Sequence, residues 1–162
     1  TYTYNAVGQV RTVTNAKNET TTYWYHPTGL ALSPASTLDS AAVGYLVRID
    51  GPLAGSSDVV NIGWDVLGRI KNQIGADGYT LGFEYDNLDR LTKVTYPDET
   101  YESFDYGARL DLESVRDRAG RVTVMEYDDL RRLRFMIDTS ERLSQWEWCG
   151  CGSLERFVDP SG

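Results

Sequence analysis

The sequence predicts an all-β fold made of tandem β-hairpins. Three observations predict it: aromatic residues recur every 21 residues, turn-forming residues divide each interval, and the apolar residues between turns have strand-like spacing. The composition agrees, since the 162 residues include 11 tyrosines and 15 glycines. We therefore expect about seven hairpin units, each made of two strands and two turns.

The clearest mark of the repeat is an aromatic residue at one phase of each unit. A second apolar or aromatic residue stands two positions earlier, as Phe83 does before Tyr85. Because side chains two apart lie on one face of a strand, each pair predicts the outgoing strand of a hairpin. We expect these aromatic residues to form a packing ladder with a structural role. The ladder residues are Tyr4, Tyr25, Trp64, Tyr85, Tyr106, Tyr127 and Trp148.

A turn follows each outgoing strand. An Asp or Asn such as Asn5, Asp65 or Asp86 opens it, as is typical of type I turns. Glycine follows in several units, where the backbone needs a left-handed conformation. The predicted turn glycines are Gly8, Gly29, Gly68 and Gly152.

The return strand has an unusual apolar spacing. An aliphatic residue begins it and a second apolar residue follows three positions later, as with Leu91 and Val94. A flat strand would place these two on opposite faces. We expect either a β-bulge or burial of both faces against neighbouring layers. Because a lone hairpin is only marginally stable in water, successive hairpins must pair or stack.

One segment interrupts the period, since 39 residues separate Tyr25 from Trp64. Residues 33–42 are small and polar and indicate an exposed loop, either an ordinary connection or a binding loop. We interpret about residues 30–60 as one irregular hairpin with a longer loop. Residues 1–162 are then a single repeat array, and the lack of an initiating Met favours a fragment of a longer chain.

Charge and hydropathy exclude two classes of partner. The net charge of −8 argues against nucleic-acid binding, which usually requires a basic face. Basic residues occur singly or in pairs, so no polybasic segment is available for anionic lipid. No apolar run approaches the roughly 18 residues that span a bilayer, and we expect no membrane insertion.

No catalytic, cofactor or metal site is predicted. The single histidine, His26, occupies a turn position, and the recurring aspartates are expected to accept backbone hydrogen bonds there. A residue repeated in every unit indicates structure, so we expect no enzyme activity and no cofactor. Calcium binding by acidic turn residues is a weaker alternative to solvated turns. The residues concerned are Glu99, Asp117, Asp138 and Asp159.

Cys149 and Cys151 lie outside the repeat pattern. They are compatible with unpaired or packed thiols, a local disulfide, or metal binding together with ligands from elsewhere.

Two segments, residues 64–70 and 85–98, closely resemble the RHS, or tyrosine-aspartate (YD), repeat. Its pattern is Tyr-Asp-x-x-Gly-Arg-Leu followed by Val-Thr-x-Pro-Asp-Gly. The resemblance covers essentially the whole chain and is weakest at about residues 30–42. The chain departs from the pattern where Asp89 and Arg131 replace the turn glycine, and where Gly107 and Cys149 replace the aspartate. These departures concern single turns.

The resemblance implies a β-sheet ribbon that spirals into a hollow shell, as in bacterial polymorphic toxins, toxin-complex cocoon proteins and teneurins. In such proteins the repeats form a wall and the activity lies in separate terminal domains. The expected function is therefore a structural wall segment of a secreted or surface protein that shelters or presents a toxin or effector. The expected partners are further RHS repeats of the same or neighbouring chains and an encapsulated toxin domain.

The alternative is a building block of an extracellular structural or adhesive filament. Residues 156–162 have a passing likeness to the self-cleavage region of toxin members. Because they keep the repeat phase, we interpret them as an ordinary repeat turn.

Overall fold

The structure is a computed structural model that describes residues 1–26 and 44–161. These residues form two compact units, Thr1–Glu84 and Tyr85–Gly162. All of the regular secondary structure in the described ranges is β-strand. The all-β prediction is thus confirmed.

The first unit contains seven strands in chain order, each antiparallel to the next. They are β1 (Tyr2–Tyr4), β2 (Val10–Thr14), β3 (Thr20–Tyr25), β4 (Leu46–Asp50), β5 (Val59–Trp64), β6 (Ile70–Ile74) and β7 (Thr80–Tyr85), whose last residue begins the second unit.

The second unit contains the other seven strands, again antiparallel and in chain order. They are β8 (Leu91–Thr95), β9 (Tyr101–Tyr106), β10 (Leu112–Arg116), β11 (Val122–Tyr127), β12 (Leu133–Ile137), β13 (Leu143–Trp148) and β14 (Leu154–Val158).

The 21-residue period corresponds to one unit of two strands and two loops. A six-residue strand such as β9 is followed by a five-residue loop, a five-residue strand such as β10, and another five-residue loop. The regular pattern is broken between β3 and β5, where the irregular hairpin was predicted. Gly29 and the predicted loop at 33–42 lie outside the described residues.

A β-bulge explains the odd spacing of apolar residues in the return strands. In the pair β9 and β10, Tyr106 is opposite Leu112, whereas Asp105 is opposite Ser114, so β10 has one extra residue. The same register shift occurs in the pairs β1–β2, β5–β6, β11–β12 and β13–β14. The extra residue brings Leu112 and Val115 onto the same face as the aromatic residue. Of the two predicted explanations, the bulge is the one observed.

The described sheet has very little core. Only three apolar side chains among the described residues are buried, namely Val47, Val59 and Val94. The ladder residues are half-buried, except for Tyr4, which is 60% exposed. Hairpins therefore bury apolar surface mainly by lying side by side within each unit.

Candidate functional site

Each five-residue loop is closed by two backbone hydrogen bonds. In the loop after β7, Asp86 N–H donates to the Arg90 carbonyl at 3.0 Å, and Asp89 N–H donates to the Asp86 carbonyl at 3.2 Å. The fourth residue has a positive φ, which is 80° for Gly68 and 91° for Gly152. Where glycine is absent the geometry persists, since φ is 62° for Asp89 and 63° for Arg131. The sequence departures at these positions leave the turn unchanged.

The turn aspartate and the arginine four residues later form one unit, which we call the Asp–Arg clamp. Asp128 Oδ1 accepts the N–H groups of Leu130 and Arg132 at 2.9 and 3.0 Å, and Oδ2 accepts Arg132 Nε–H at 2.7 Å. The side-chain hydrogen bond from Arg132, followed by its backbone N–H, holds the pKa of Asp128 below its usual value. The same contacts join Asp65–Arg69, Asp86–Arg90, Asp117–Arg121 and Asp138–Arg142.

The polar tips of ladder residues bind backbone carbonyls on the preceding strand. Tyr106 hydroxyl donates to the Leu91 carbonyl at 3.0 Å, and Trp148 Nε1–H donates to the Leu133 carbonyl at 2.8 Å. In the first unit, Tyr25 and Trp64 donate to the carbonyls of Val10 and Leu46. Each acceptor is the first residue of a return strand, and Val10, Leu46 and Leu133 adjoin the register shift of their own hairpins. In these three cases the aromatic side chain therefore donates to a carbonyl beside the bulge.

Tyr127 departs from this arrangement. Its hydroxyl donates to Met125 Sδ at 3.7 Å. Burial raises the pKa of the Tyr127 hydroxyl, and the charge of Asp111 raises it further.

The clamp arginine also covers the next ladder residue. The guanidinium carbon of Arg90 lies 4.2 Å from the centre of the Tyr106 ring, and that of Arg132 lies 5.4 Å from the Trp148 ring. A guanidinium above an aromatic face is attracted by the ring quadrupole. The aspartate, the arginine, the ladder aromatic residue and the first carbonyl of the return strand thus form one continuous structure, which we call the repeat clasp. One complete clasp comprises Asp86, Arg90, Tyr106 and the carbonyl of Leu91.

Loops of adjacent repeats are also linked to each other. In the second unit, Arg109 pairs with Asp129 at 2.8 Å, and Arg131 pairs with Asp111 at 2.7 Å. At the other edge of the sheet, Arg118 pairs with Asp98 at 2.8 Å. Exposed ion pairs contribute little stability. They do show which loops are neighbours. Loops that follow the six-residue strands lie side by side along one edge, and loops that follow the five-residue strands lie side by side along the other.

The face opposite the ladder carries a column of acidic residues in the second unit. Asp105, Glu126 and Glu147 each precede a ladder residue by one position and therefore point to the other face. Asp105 accepts a hydrogen bond from Ser114 at 2.7 Å, and Glu147 lies 3.7 Å from Arg156. Our sequence interpretation missed both this column and the clamp arginines. The signal for each was a charged residue recurring at the 21-residue period.

Cys149 and Cys151 are joined by a disulfide in the loop between β13 and β14. Cys149 occupies the clamp-aspartate position, and its Sγ accepts the N–H groups of Cys151 and Ser153 at 3.1 and 3.3 Å. The local disulfide was one of the three possibilities that the sequence left open.

The predicted turn residues His26, Asp117, Asp138 and Asp159 have hydrogen-bond partners. His26 N–H donates to the Tyr45 carbonyl at 3.0 Å. Asp117 and Asp138 are clamp residues, and Asp159 accepts the N–H of Ser161 at 2.7 Å. Within residues 1–26 and 44–161, no group of three or more His, Cys, Asp or Glu side chains is placed to hold a metal ion.

The described part of the chain contains no helix that is both long and apolar enough to span a membrane.

Residues 64–101 match the model of the RHS repeat family. No curated protein sequence matches the chain. Two similar solved structures are a TcdB2–TccC3–Cdc42 crystal structure and a Photorhabdus luminescens Tc holotoxin pore that carries a TccC3 mutation. Each is 14% identical with a TM-score of 0.74, over 99% of this chain and 9% of that chain.

The structural match shows the fold, and the chain spans 9% of the length of these structures. The family match covers two consecutive ladder residues, Trp64 and Tyr85, together with their Asp–Arg clamps. The same loop, bulge and strand pattern recurs in hairpins outside the matched segment. Residues 64–101 therefore belong to the RHS, or tyrosine-aspartate, repeat family, and the hairpins outside this segment share its loop, bulge and strand pattern.

Proposed function

We propose that this chain is a wall segment of a hollow shell, in a secreted or surface-exposed RHS protein that shelters or presents a toxin or effector domain. The observation that carries the proposal is the fold match over 99% of the chain to toxin-complex structures of which it spans 9%. A segment of that relative size is suited to form part of an enclosure together with many further repeats.

The repeat clasp supports a mechanical role. A sheet with three buried apolar side chains among its described residues cannot depend on a central core for rigidity. Its stability must come from contacts between neighbouring strands, as in other repeat arrays. The clasp supplies such contacts, because Arg90 and the Leu91 carbonyl hold the ring and hydroxyl of Tyr106 on the next strand.

The two faces of the sheet suit a wall that separates two environments. The ladder face carries aromatic and aliphatic residues, and the other face carries acidic residues such as Glu126, which is exposed. An acidic face repels acidic surfaces and remains hydrated. One face would line the cavity and the other would meet the outside, with further RHS repeats continuing the wall.

We also propose that the segment is not catalytic. Its recurring aspartates are used by their own loops, since Asp65, Asp86 and Asp128 each bind the arginine four residues later. A carboxylate held in this way stabilises the turn. Any activity of the complete protein would then lie in a separate domain.

Electron microscopy of the assembly formed by the full-length protein tests the proposal. Closed hollow particles with internal density would support a shell that contains a cargo domain. Filaments with a regular axial repeat would contradict it and would favour the extracellular structural or adhesive fibre. Solid particles without a cavity would also contradict it.

Protease protection provides a second test in the full-length protein. Tyr106→Ala removes a clasp, so we expect faster digestion of the enclosed domain. Tyr79→Ala is the matched control, because Tyr79 is 45% exposed and precedes strand β7 without being a ladder residue. Equal digestion of both variants and the unaltered protein would oppose a sheltering wall that depends on the clasp.

A further inference from the structure

The Cys149–Cys151 disulfide is placed where it can do little for the stability of the fold. It closes a ring across a single residue, Gly150, and the stabilisation from a cross-link grows with the length of the closed loop. The loop is also closed by the usual backbone bonds, Cys149 N–H to the Ser153 carbonyl and Gly152 N–H to the Cys149 carbonyl, both at 3.0 Å. Sister loops form the same two bonds without any cysteine, as the Asp128 loop does.

The two sulfur atoms have different surroundings. Cys149 is half-buried, and its Sγ accepts two backbone N–H groups at 3.1 and 3.3 Å. In sister loops the same two N–H groups bind a carboxylate oxygen, such as Asp128 Oδ1. This position therefore accommodates a negative charge. Cys151 is exposed, and the neighbouring Gly150 has open space beside it.

We propose that Cys149 and Cys151 form a thiol–disulfide exchange site for low-molecular-weight thiols, in which Cys151 is the sulfur attacked and Cys149 is the leaving thiolate. The exposed sulfur is open to an incoming thiolate. The half-buried sulfur of Cys149 leaves into a position where two N–H groups stabilise its charge. A leaving thiol whose anion is stabilised departs faster.

The exchange balances in two steps. The incoming thiolate forms a sulfur–sulfur bond with Cys151 Sγ, the bond between the two cysteines breaks, and its electron pair goes to Cys149 Sγ. A second thiolate then attacks the outer sulfur of the mixed disulfide and releases Cys151 as a thiolate. Two small thiols are oxidised to one disulfide, the protein disulfide gains two electrons, and the two protons are shared with solvent.

The test is to identify the attacked sulfur. The oxidised chain is incubated in its native state with reduced glutathione and quenched with iodoacetamide, and mass spectrometry then locates both adducts. We expect about tenfold more glutathione on Cys151 than on Cys149, a ratio that corresponds to ~1.4 kcal/mol, the scale of a hydrogen bond to a charged group. An equal distribution, or more glutathione on Cys149, would overturn the proposal.

A double variant separates exchange from a structural role. Cys149→Asp with Cys151→Ser restores the carboxylate of the sister loops and removes the disulfide. We expect an unchanged circular dichroism spectrum and an unchanged urea midpoint. If this variant and the reduced chain both unfold, the disulfide is a structural cross-link and the exchange site is refuted. Neither result depends on the shell, so the proposed wall function stands or falls separately.

Discussion

The hydroxyl of Tyr106 donates a hydrogen bond of 3.0 Å to the carbonyl of Leu91, the first residue of the preceding strand β8. This bond connects the recurring aromatic residue of the sequence repeat with the first backbone carbonyl of the preceding strand. The same kind of bond is made by Tyr25, Trp64 and Trp148, so the recurring aromatic residue links neighbouring strands. Tyrosine and tryptophan can each reach this carbonyl and also provide an apolar ring, as Trp148 does at Leu133.

Removing only the hydroxyl of Tyr106 should weaken the sheet measurably. We expect Tyr106→Phe to lower the free energy of unfolding by about 1 kcal/mol, because the Leu91 carbonyl loses its side-chain donor. Tyr106→Ala should cost about 2–3 kcal/mol, since it also removes the ring. Urea unfolding of the purified chain measures both, with Tyr79→Phe as the exposed control. A Phe variant as stable as the unaltered chain would show that the bond contributes nothing.

The stability of the sheet should depend on the planar shape of the Arg132 guanidinium as well as on its charge. Arg132 donates through Nε to Asp128 at 2.7 Å while its guanidinium lies over Trp148. Lysine cannot reproduce this planar geometry. We expect Arg132→Lys to lower the urea midpoint clearly and Arg109→Lys, at an exposed pair, to change it little. Equal effects would mean that only charge is required.

The clamps should make stability depend on pH in the acid range. The pKa of Asp128 in the folded chain lies below its unfolded value, owing to the side-chain and then the backbone hydrogen bond from Arg132. Its contribution is therefore complete above the unfolded pKa of about 3.9 and is lost as pH falls through the folded pKa.

Asp128→Asn isolates this effect in urea titrations at several pH values. We expect the variant to be less stable than the unaltered chain at pH 6, and the difference to shrink once the pH falls below about 3.9. Asp129→Asn is the adjacent control, because the Asp129 side chain is 92% exposed. A difference that grows on acidification would have the wrong sign for a lowered pKa.

Leu110 has a backbone conformation that leucine rarely adopts. It occupies the fourth loop position with φ of 72° and is 50% exposed. We expect Leu110→Gly to stabilise the chain by up to about 1 kcal/mol, because a left-handed residue other than glycine costs roughly 1–2 kcal/mol and glycine adds some unfolded-state entropy. Leu88→Gly, at an exposed loop position without positive φ, should not stabilise. The thermal unfolding midpoints of both variants test this prediction, and a midpoint that does not rise for Leu110→Gly would contradict it.

His26→Ala should change little in stability or function, since His26 is expected to serve as a turn residue. Its backbone N–H bond to Tyr45 survives the substitution. The measurements are urea unfolding of the chain and any activity assay available for the full-length protein. Loss of an activity with an intact fold would contradict the scaffold proposal.

The hairpin repeat and the bulge could be predicted because their signals are local. Tyr106 and Phe104 lie two positions apart in one strand, and the three-residue spacing of Leu112 and Val115 predicted either a bulge or burial of both faces, of which the bulge is observed. The clasp could not be predicted in the same way. Arg90 and Tyr106 are far apart in the sequence and meet only because β8 and β9 pair in one register.

The sequence by itself determined the hairpin units, their turns and the 21-residue period, because turn formation and strand alternation act over a few residues. Tertiary structure decided the rest. Asp89 and Arg131 adopt the conformation predicted for glycine because the two closing hydrogen bonds of each loop outweigh the local preference. The partners of the ladder residues were likewise set by strand pairing, which alone brings the first carbonyl of a return strand within reach of the next aromatic side chain.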